Sequence, residues 1–420
     1  MRGSITLTVM VVILMMGLTF APTVLAENAW NEDGWLTTNL ADNRLELGDE
    51  FGCYGIPGLE WSIDPGAVAS ECRKYIEERL PASKWSDSPI SIYTPDYLPM
   101  SGHNKIASQG FTVHGDMNGL DDYTAWHSSD DRPVYEEDWF NLGRRGGSLE
   151  SGIGSLTELQ NQIESGGLVN MYWIGRNDQA SIRADSEIVN WLEYEAELWL
   201  TTWGEAWSYW AISRCYEFSH SLENNTTIEF ILENTIACNS ANPEVFDIPT
   251  TWVIDVDNKS ISRVSIDGEN VSEMGLKKNL QNGWRVEDGL LYLSVQHNLS
   301  VEIVLEEEPD NYDIIGQTEF FNGFESAVTI AGHNTRDLFL WSRKFVDESN
   351  LSFTWLLTPQ KLEEKGLLLP MIGVSIGAVT ILGMFYLLKT DSRRITQESD
   401  FYERLTPKTN ISTEPDEVGD

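Results

Sequence analysis

Twenty-three consecutive residues, Gly366 to Leu388, carry no charge. As a helix rising about 1.5 Å per residue, such a run crosses a hydrocarbon core of roughly 30 Å. No other feature constrains the chain as tightly, because a helix that long and apolar has no place in a small globular core. Lys361, Glu363, Glu364 and Lys365 precede it, and Lys389, Arg393 and Arg394 follow. Basic residues on the C-terminal flank predict that this side faces the cytoplasm. The expected layout is a single-pass protein of type I in the cell membrane, with its bulk outside and a short tail, 389–420, inside. Gly373 and Gly377 form a small-xxx-small pair on that span, which an ordinary span also carries.

A second apolar run stands at the other end. Arg2, the stretch from Ile5 to Phe20 and Thr23-Val24-Leu25-Ala26 read as a secretory signal over 1–26, with a retained N-terminal anchor as the alternative. The globular part is thereby confined to 27–365. Its surface is acidic. The chain has 66 Asp plus Glu against 28 Lys plus Arg, a formal charge of -38, which repels nucleic-acid backbones and removes them as partners. Hydrophobic residues at 41% and sixteen Trp exclude a mostly disordered chain.

Four Cys are too few for a disulfide-built scaffold, and no Cys-x-x-Cys is present. An external location permits disulfides. Proximity in sequence favours Cys53 with Cys72 and Cys215 with Cys238, among three possible connectivities. Glycosylation triplets stand at Asn224, Asn225, Asn258, Asn270, Asn298 and Asn350, so a glycoprotein is expected. Asn410 heads another on the cytoplasmic side.

Residues 27–58 are acidic and weakly patterned, and read as a loop or wrapping segment. From 59 to 216, short apolar runs alternate with helical stretches. Leu59–Ile63 reads as a strand, and Ala67–Leu80 as a helix burying Val68, Cys72, Tyr75, Ile76 and Leu80. Pro65 and Gly66 stand at its start. Strands follow at Pro89–Tyr93, Leu168–Ile174 and Glu197–Thr201. Helices are expected at Leu156–Ile163, at Asp185–Tyr194 with Asp185 as cap, and at Gly204–Tyr216. This alternation argues for an α/β layer or barrel with parallel strands.

Over 217–306 the texture becomes short strands separated by Asp257-Asn258, Asp267-Gly268 and Asp288-Gly289, the pattern of a β-sandwich. Asp255-x-Asp257 is turn chemistry rather than a calcium loop. Residues 307–365 are aromatic-rich and are expected to form a membrane-proximal β-rich segment.

Three pieces of 59–214 resemble the polysaccharide deacetylase family of carbohydrate esterases. Trp61-Ser62-Ile63-Asp64-Pro65-Gly66 stands where that family has a strand ending in Phe-Asp-Asp-Gly. Gly102-His103-Asn104 through Gln109 and Val113-His114 follows the frame of its Gly-His-Glu-Ile-x-Ser-His-x-x-Thr-His motif. Leu198 to Trp210 with Arg214 is similar to its closing strand–turn–helix. The resemblance implies a distorted (β/α) barrel, with Asp64 as base and the site at the C-terminal ends of the strands. It also shows departures. Pro65 replaces a metal-binding Asp, Gln109 and Val113 fall on the two metal-binding His, and Trp173 or Ile174 falls on the late His acid. A zinc ion would lack ligands, so ordinary metal-dependent deacetylation is expected to be impaired and no cofactor is expected. A divalent cation held by His114, Asp116 and Asp64 is the remaining metal possibility.

The candidate site is therefore Asp64 and His114 as catalytic residues, with Gln109, Arg144, Tyr172, Trp173 and Arg176 binding substrate. Asn104, Asp121, Asp122, Arg145 and Asp178 are further polar candidates near it. Trp203, Trp207 and Trp210 share a helical stripe and are expected to pack against the barrel rather than stack on sugar. The resulting expectation is a membrane-anchored surface protein whose deacetylase-like ectodomain acts on or binds glycans. The alternatives are a diverged carbohydrate hydrolase using Asp64 and His114, and a non-catalytic structural surface glycoprotein.

Overall fold

A computed structural model describes residues 39–116, 140–143, 146–174, 182–234, 245–342, 350–360 and 368–405. The chain divides into two compact units, Met1–Lys361 and Leu362–Asp420. The first is mixed α/β: one parallel sheet curls into half a barrel, and two antiparallel sheets accompany it.

The parallel sheet has eight strands. They are β1 (Glu50–Cys53), β2 (Ser91–Thr94), β3 (Val113–Asp116), β4 (Phe140–Gly143), β5 (Gly167–Trp173), β6 (Trp199–Thr201), β16 (Ser326–Thr335) and β17 (Thr354–Leu357), numbered in chain order. Their order is β4-β3-β2-β1-β17-β16-β5, with β6 also paired to β16. Connecting helices lie on the outer face: α1 (Asn39–Leu47), α2 (Pro65–Glu77), α3 (Met100–Ala107), α4 (Leu156–Glu164), α5 (Ser186–Asn190) and, before β17, α7 (Leu338–Ser342). The period-two alternation of the strands sorts their side chains. Phe51, Cys53, Ile92, Val169, Met171, Trp173, Val328, Ile330, Trp355 and Leu357 join the helices in the outer core. Val113, Leu142, Leu168, Ala327, Ala331 and Leu356 face inward.

The inner face is filled by α6 (Trp203–Cys215). From Trp203 to Ile212 this helix is buried all round, as a helix with apolar residues on every side must be. Its start is a capping box. Thr202 Oγ1 accepts from Glu205 N at 3.3 Å, and the Glu205 carboxylate accepts from Thr202 N at 3.2 Å. Trp203, Trp207 and Trp210 all lie in the core, so the packing expectation for this stripe holds. The same core continues into the two antiparallel sheets. One contains β7 (Tyr216–Glu223), β8 (Thr227–Asn234), β10 (Ile261–Ile266), β11 (Glu269–Asn270) and β14 (Ser300–Leu305). The other contains β9 (Thr250–Asp255), β12 (Gly283–Glu287), β13 (Leu290–Val295) and β15 (Asp313–Gln317).

Three sequence expectations change. Leu59–Ile63 is a turn, not a strand; the first strand is Glu50–Cys53, inside the segment expected to wrap. A four-residue strand buried on both faces has no amphipathic signature, and two carboxylates disguise it further. The described part of 307–365 is β-rich, but its strands join sheets formed with earlier segments: β15 completes an antiparallel sheet, while β16 and β17 lie in the middle of the parallel one. Parallel pairing is non-local, so the pattern of a strand does not disclose its neighbour. Lastly, where a distorted (β/α) barrel is expected, the described residues form a parallel sheet curled into half a barrel, with Ser148 making one further parallel bridge to Tyr172.

Cys53 and Cys72 are disulfide-bonded, joining β1 to α2. Cys238 lies outside the described residues, and the pairing expected for Cys215 with it.

The second unit contains α8 (Leu368–Leu405). Among the described residues no helix is long and apolar enough to cross a membrane. Side chains are described from Ser375 onward, in the middle of the charge-free run, and Lys389 follows fourteen residues later.

One close contact gives a prediction. A Cβ at Gly115 would stand 2.3 Å from Trp203 Cη2, and the indole cannot retreat because its Nε1 donates to Asn170 Oδ1 at 2.9 Å. Gly115→Ala is expected to destabilise the protein by about 1–3 kcal/mol through overpacking. Equilibrium unfolding of the variant checks this; unchanged stability contradicts the packing described.

Candidate functional site at the strand exits

The inner face of the parallel sheet is layered. At the strand entries lies a buried carboxylate, Glu50. Its Oε1 accepts from Ser91 Oγ at 2.5 Å, and its Oε2 accepts from Gly204 N at 2.9 Å and Thr354 Oγ1 at 3.1 Å. Thr354 Oγ1 in turn accepts from Trp203 N at 2.9 Å. One side chain thus ties β1, β2 and β17 to the start of α6, where the helix dipole favours negative charge. Burial nevertheless pushes the Glu50 carboxyl up to about 7, against the hydrogen bonds from Ser91, Gly204 and its other partners. Burial also raises the Glu205 carboxyl, which Lys84, Trp85 and the capping-box bonds oppose.

The middle layer is Trp203, filling the space left by Gly115 and fixed to Asn170, whose Oδ1 also accepts from Thr329 Oγ1 at 3.0 Å.

Above it, at the strand exits, three tyrosines converge on one histidine. Tyr54 follows β1, Tyr93 is on β2, Tyr172 on β5 and His333 on β16. Tyr54 and Tyr93 stack with centroids 4.3 Å apart. Both, and Tyr172, meet the His333 ring nearly edge-on at 6.0, 6.3 and 6.3 Å. The tyrosines are half-buried and His333 is 3% exposed. His333 stands where β16 slips register against β17, between Gly332 and Thr335, and Asn334 beside it is left-handed at φ 47°. A bulge at a strand end re-aims a side chain. Trp341 Nε1 fixes it by donating to His333 O at 3.2 Å. Crevices outside the carboxyl ends of parallel strands are where open α/β sheets bind ligands. An open groove bordered by Ser83, Lys84, Trp85 and Asp87 lies at the opposite, strand-entry end.

Of the residues expected to form the site, those described are not brought together. Asp64 is exposed and caps α2, accepting from Ala67 N at 3.3 Å. Gln109 lies on the turn that enters β3, at the opposite end of the sheet from Tyr172, and its amide donates to Ser108 Oγ at 3.3 Å. His114 is wholly buried on the outer face of β3. Its Nε2 lies 3.0 Å from Phe111 O, an acceptor, so that nitrogen carries the proton. Its Nδ1 is then bare and accepts from Nδ1 of His103, 2.9 Å away. Burial, then the neighbouring His103, hold the His114 imidazole well below its ordinary range. Trp173 points away from Tyr172, into the outer core at 0% exposure. Alternation along a strand forbids adjacent residues from sharing a face. Of the expected substrate-binding residues that are described, Gln109, Tyr172 and Trp173, only Tyr172 lies at the aromatic mouth. Arg144, Arg176, Asp121, Asp122, Arg145 and Asp178 lie outside the described residues. Among those described, no group of three His, Cys, Asp or Glu is placed to hold a metal ion.

No protein-family model matches the chain, and neither the curated proteins nor the solved structures contain a match. Nothing in these comparisons identifies a deacetylase.

Glu50 gives a pH prediction. Its carboxyl is raised in the folded state, so its stabilising protonated form is complete below about 4.5 and is lost as pH rises through about 7. His114 acts oppositely, favouring the fold above 6.5 and weakening it as pH falls below that value. Glu50→Gln mimics the protonated acid. It should match the parent near pH 4.5 and exceed it by roughly 3 kcal/mol above pH 7. Denaturant titrations across that range measure the difference; a variant no more stable at pH 8 contradicts the assignment.

Proposed function

We propose that this chain is a single-pass surface protein whose parallel sheet binds a saccharide at the tyrosine mouth. The observation that carries the reading is the convergence of Tyr54, Tyr93 and Tyr172 on His333 at the strand exits. A half-buried tyrosine offers a ring face to the apolar C–H surface of a sugar and a hydroxyl to its polar edge. Several such rings around a buried imidazole make a platform that holds a flat, hydroxyl-rich ligand by its faces and rim. The surface placement is supported by the charge-free run 366–388 with its basic C-terminal flank, and by the Cys53–Cys72 disulfide, which persists in oxidising compartments.

A binding role is favoured over a hydrolase using Asp64 and His114. Asp64 is occupied as an exposed helix cap, and His114 is shut in the opposite face with both ring nitrogens engaged. General acid–base work needs both groups within reach of one substrate atom. The polysaccharide deacetylase resemblance therefore supports a glycan ligand but not the chemistry of that family.

Calorimetric titration of the full-length protein in detergent against an oligosaccharide panel tests this. Loss of one stacked ring is worth about 0.5–1.5 kcal/mol. Tyr172→Ala and Tyr54→Ala should each weaken binding about two- to tenfold, whereas Asp64→Asn, which still caps the helix, should leave it unchanged. Equal affinity in the tyrosine variants, or no binding across the panel, defeats the proposal.

A further inference from the structure

The glycosylation triplets are the sequence feature that the tyrosine mouth leaves unused. Their distribution is uneven. None of the eleven asparagines between 27 and 223 heads such a triplet, against six of the fourteen between 224 and 350. All six side chains are exposed.

Their places in the fold differ. Asn224 and Asn225 form the β7–β8 turn, both left-handed at φ 50° and 62°. Asn298, at φ 59°, lies in the β13–β14 turn, and Asn270 ends the short β11 just past the Asp267-Gly268 turn. Turn chemistry explains asparagine at left-handed positions. It does not require a hydroxyl two residues later, yet Thr226, Thr227, Ser272 and Ser300 stand there, each half-buried or exposed. Two other positions are hindered although their asparagines are exposed. The Asn258 amide lies over Gly289, its Oδ1 occupying the space of a Cβ. Asn350 is followed by Leu351 and Ser352, which are 0% and 5% exposed, so that triplet cannot be presented extended. No triplet falls on a described loop leaving the exit end of a parallel strand; Asn350 is on the entry to β17.

We infer that exposed turns and hairpin tips of the antiparallel sheets are N-glycosylation sites, at Asn224 or Asn225, Asn270 and Asn298. The coat therefore sits on that part of the molecule and leaves the tyrosine mouth bare. In the modification, the Asn Nδ2 bonds to the anomeric carbon of an oligosaccharide carried on a lipid phosphate. The bond from that carbon to the phosphate oxygen breaks, the lipid phosphate leaves, and one amide proton passes to the transferase base. No oxidation occurs. The inference rests on the external placement proposed above and not on the ligand.

Two measurements on cells that make the protein test it. A membrane-impermeant biotin reagent reports placement through the ectodomain lysines. Peptide mass mapping of the full-length protein extracted from its membrane reports the asparagines. The expected result is biotin labelling, with glycan mass on the 224/225, 270 and 298 peptides and none on the 258 or 350 peptides. Labelled protein with bare tip peptides overturns the glycan inference while the placement stands. Glycan on the 258 and 350 peptides with bare tips overturns it equally. Unlabelled, unglycosylated protein overturns both.

Discussion

Two adjacent buried carboxylates at the start of β1 hold the first unit together. Asp49, just before the strand, is paired with Arg44 through two contacts of 2.5 and 2.8 Å. It also accepts from Phe353 N at 2.9 Å and Trp355 Nε1 at 2.6 Å. Glu50, facing the other way, ties in Ser91, Thr354 and the start of α6. A four-residue strand is thereby fastened to a partner some 300 residues away, in register Glu50 to Thr354. A buried charge or polar group costs several kcal/mol when its partners are missing. The seam between β1 and β17 consequently forms with all of its donors or not at all. The tyrosine mouth depends on it, because Tyr54 and His333 belong to distant chain segments that this seam helps bring together.

The inner face then acquires a functional gradient. At its entry end the polar groups are satisfied and sealed by α6. In its middle, Trp203 occupies the room that Gly115 provides. At its exit end the aromatic rings are half open. A ligand approaching this face meets only the last layer. The antiparallel sheets share the core beneath it and brace α6. Their exposed asparagine triplets stand at turns of these sheets rather than at strand exits.

Much of this was legible in sequence, and the exceptions share a cause. Helix α2 was readable from the spacing of Val68, Cys72, Tyr75 and Ile76. So were β5, the Asp185 cap, and the strands β8, β9, β10, β13 and β14 between their Asp-Asn and Asp-Gly turns. These are local patterns. The strands β1, β16 and β17 were misplaced because their burial comes from partners far along the chain. The described residues of the expected site are scattered for the same reason. Asp64, Gln109 and His114 line up with a motif in one dimension, but β3 turns His114 outward and the turn bearing Gln109 enters the strand from the other end. A signal for the observed cluster does exist. Tyr54 before Gly55, Tyr93 before Thr94-Pro95 and His333 before Asn334 each end an apolar run at a turn former, which is where strand-exit residues stand. Tyr172 alone was selected, for its position at a strand end. The T-x-x-E of Thr202 and Glu205 likewise marks the start of α6 at Trp203, one residue earlier than the apolar pattern does.

The pairing of β1 with β17 is the claim on which the account turns, and hydrogen exchange of the native protein tests it directly. Glu50 N donates to Phe353 O and Tyr54 N to Leu357 O, both at 2.8 Å. Peptides covering 48–55 and 350–358 should therefore be equally protected and exchange together, only on global unfolding. Rapid exchange of 350–358 beside a protected 48–55 would show a loose segment there and contradict the seam.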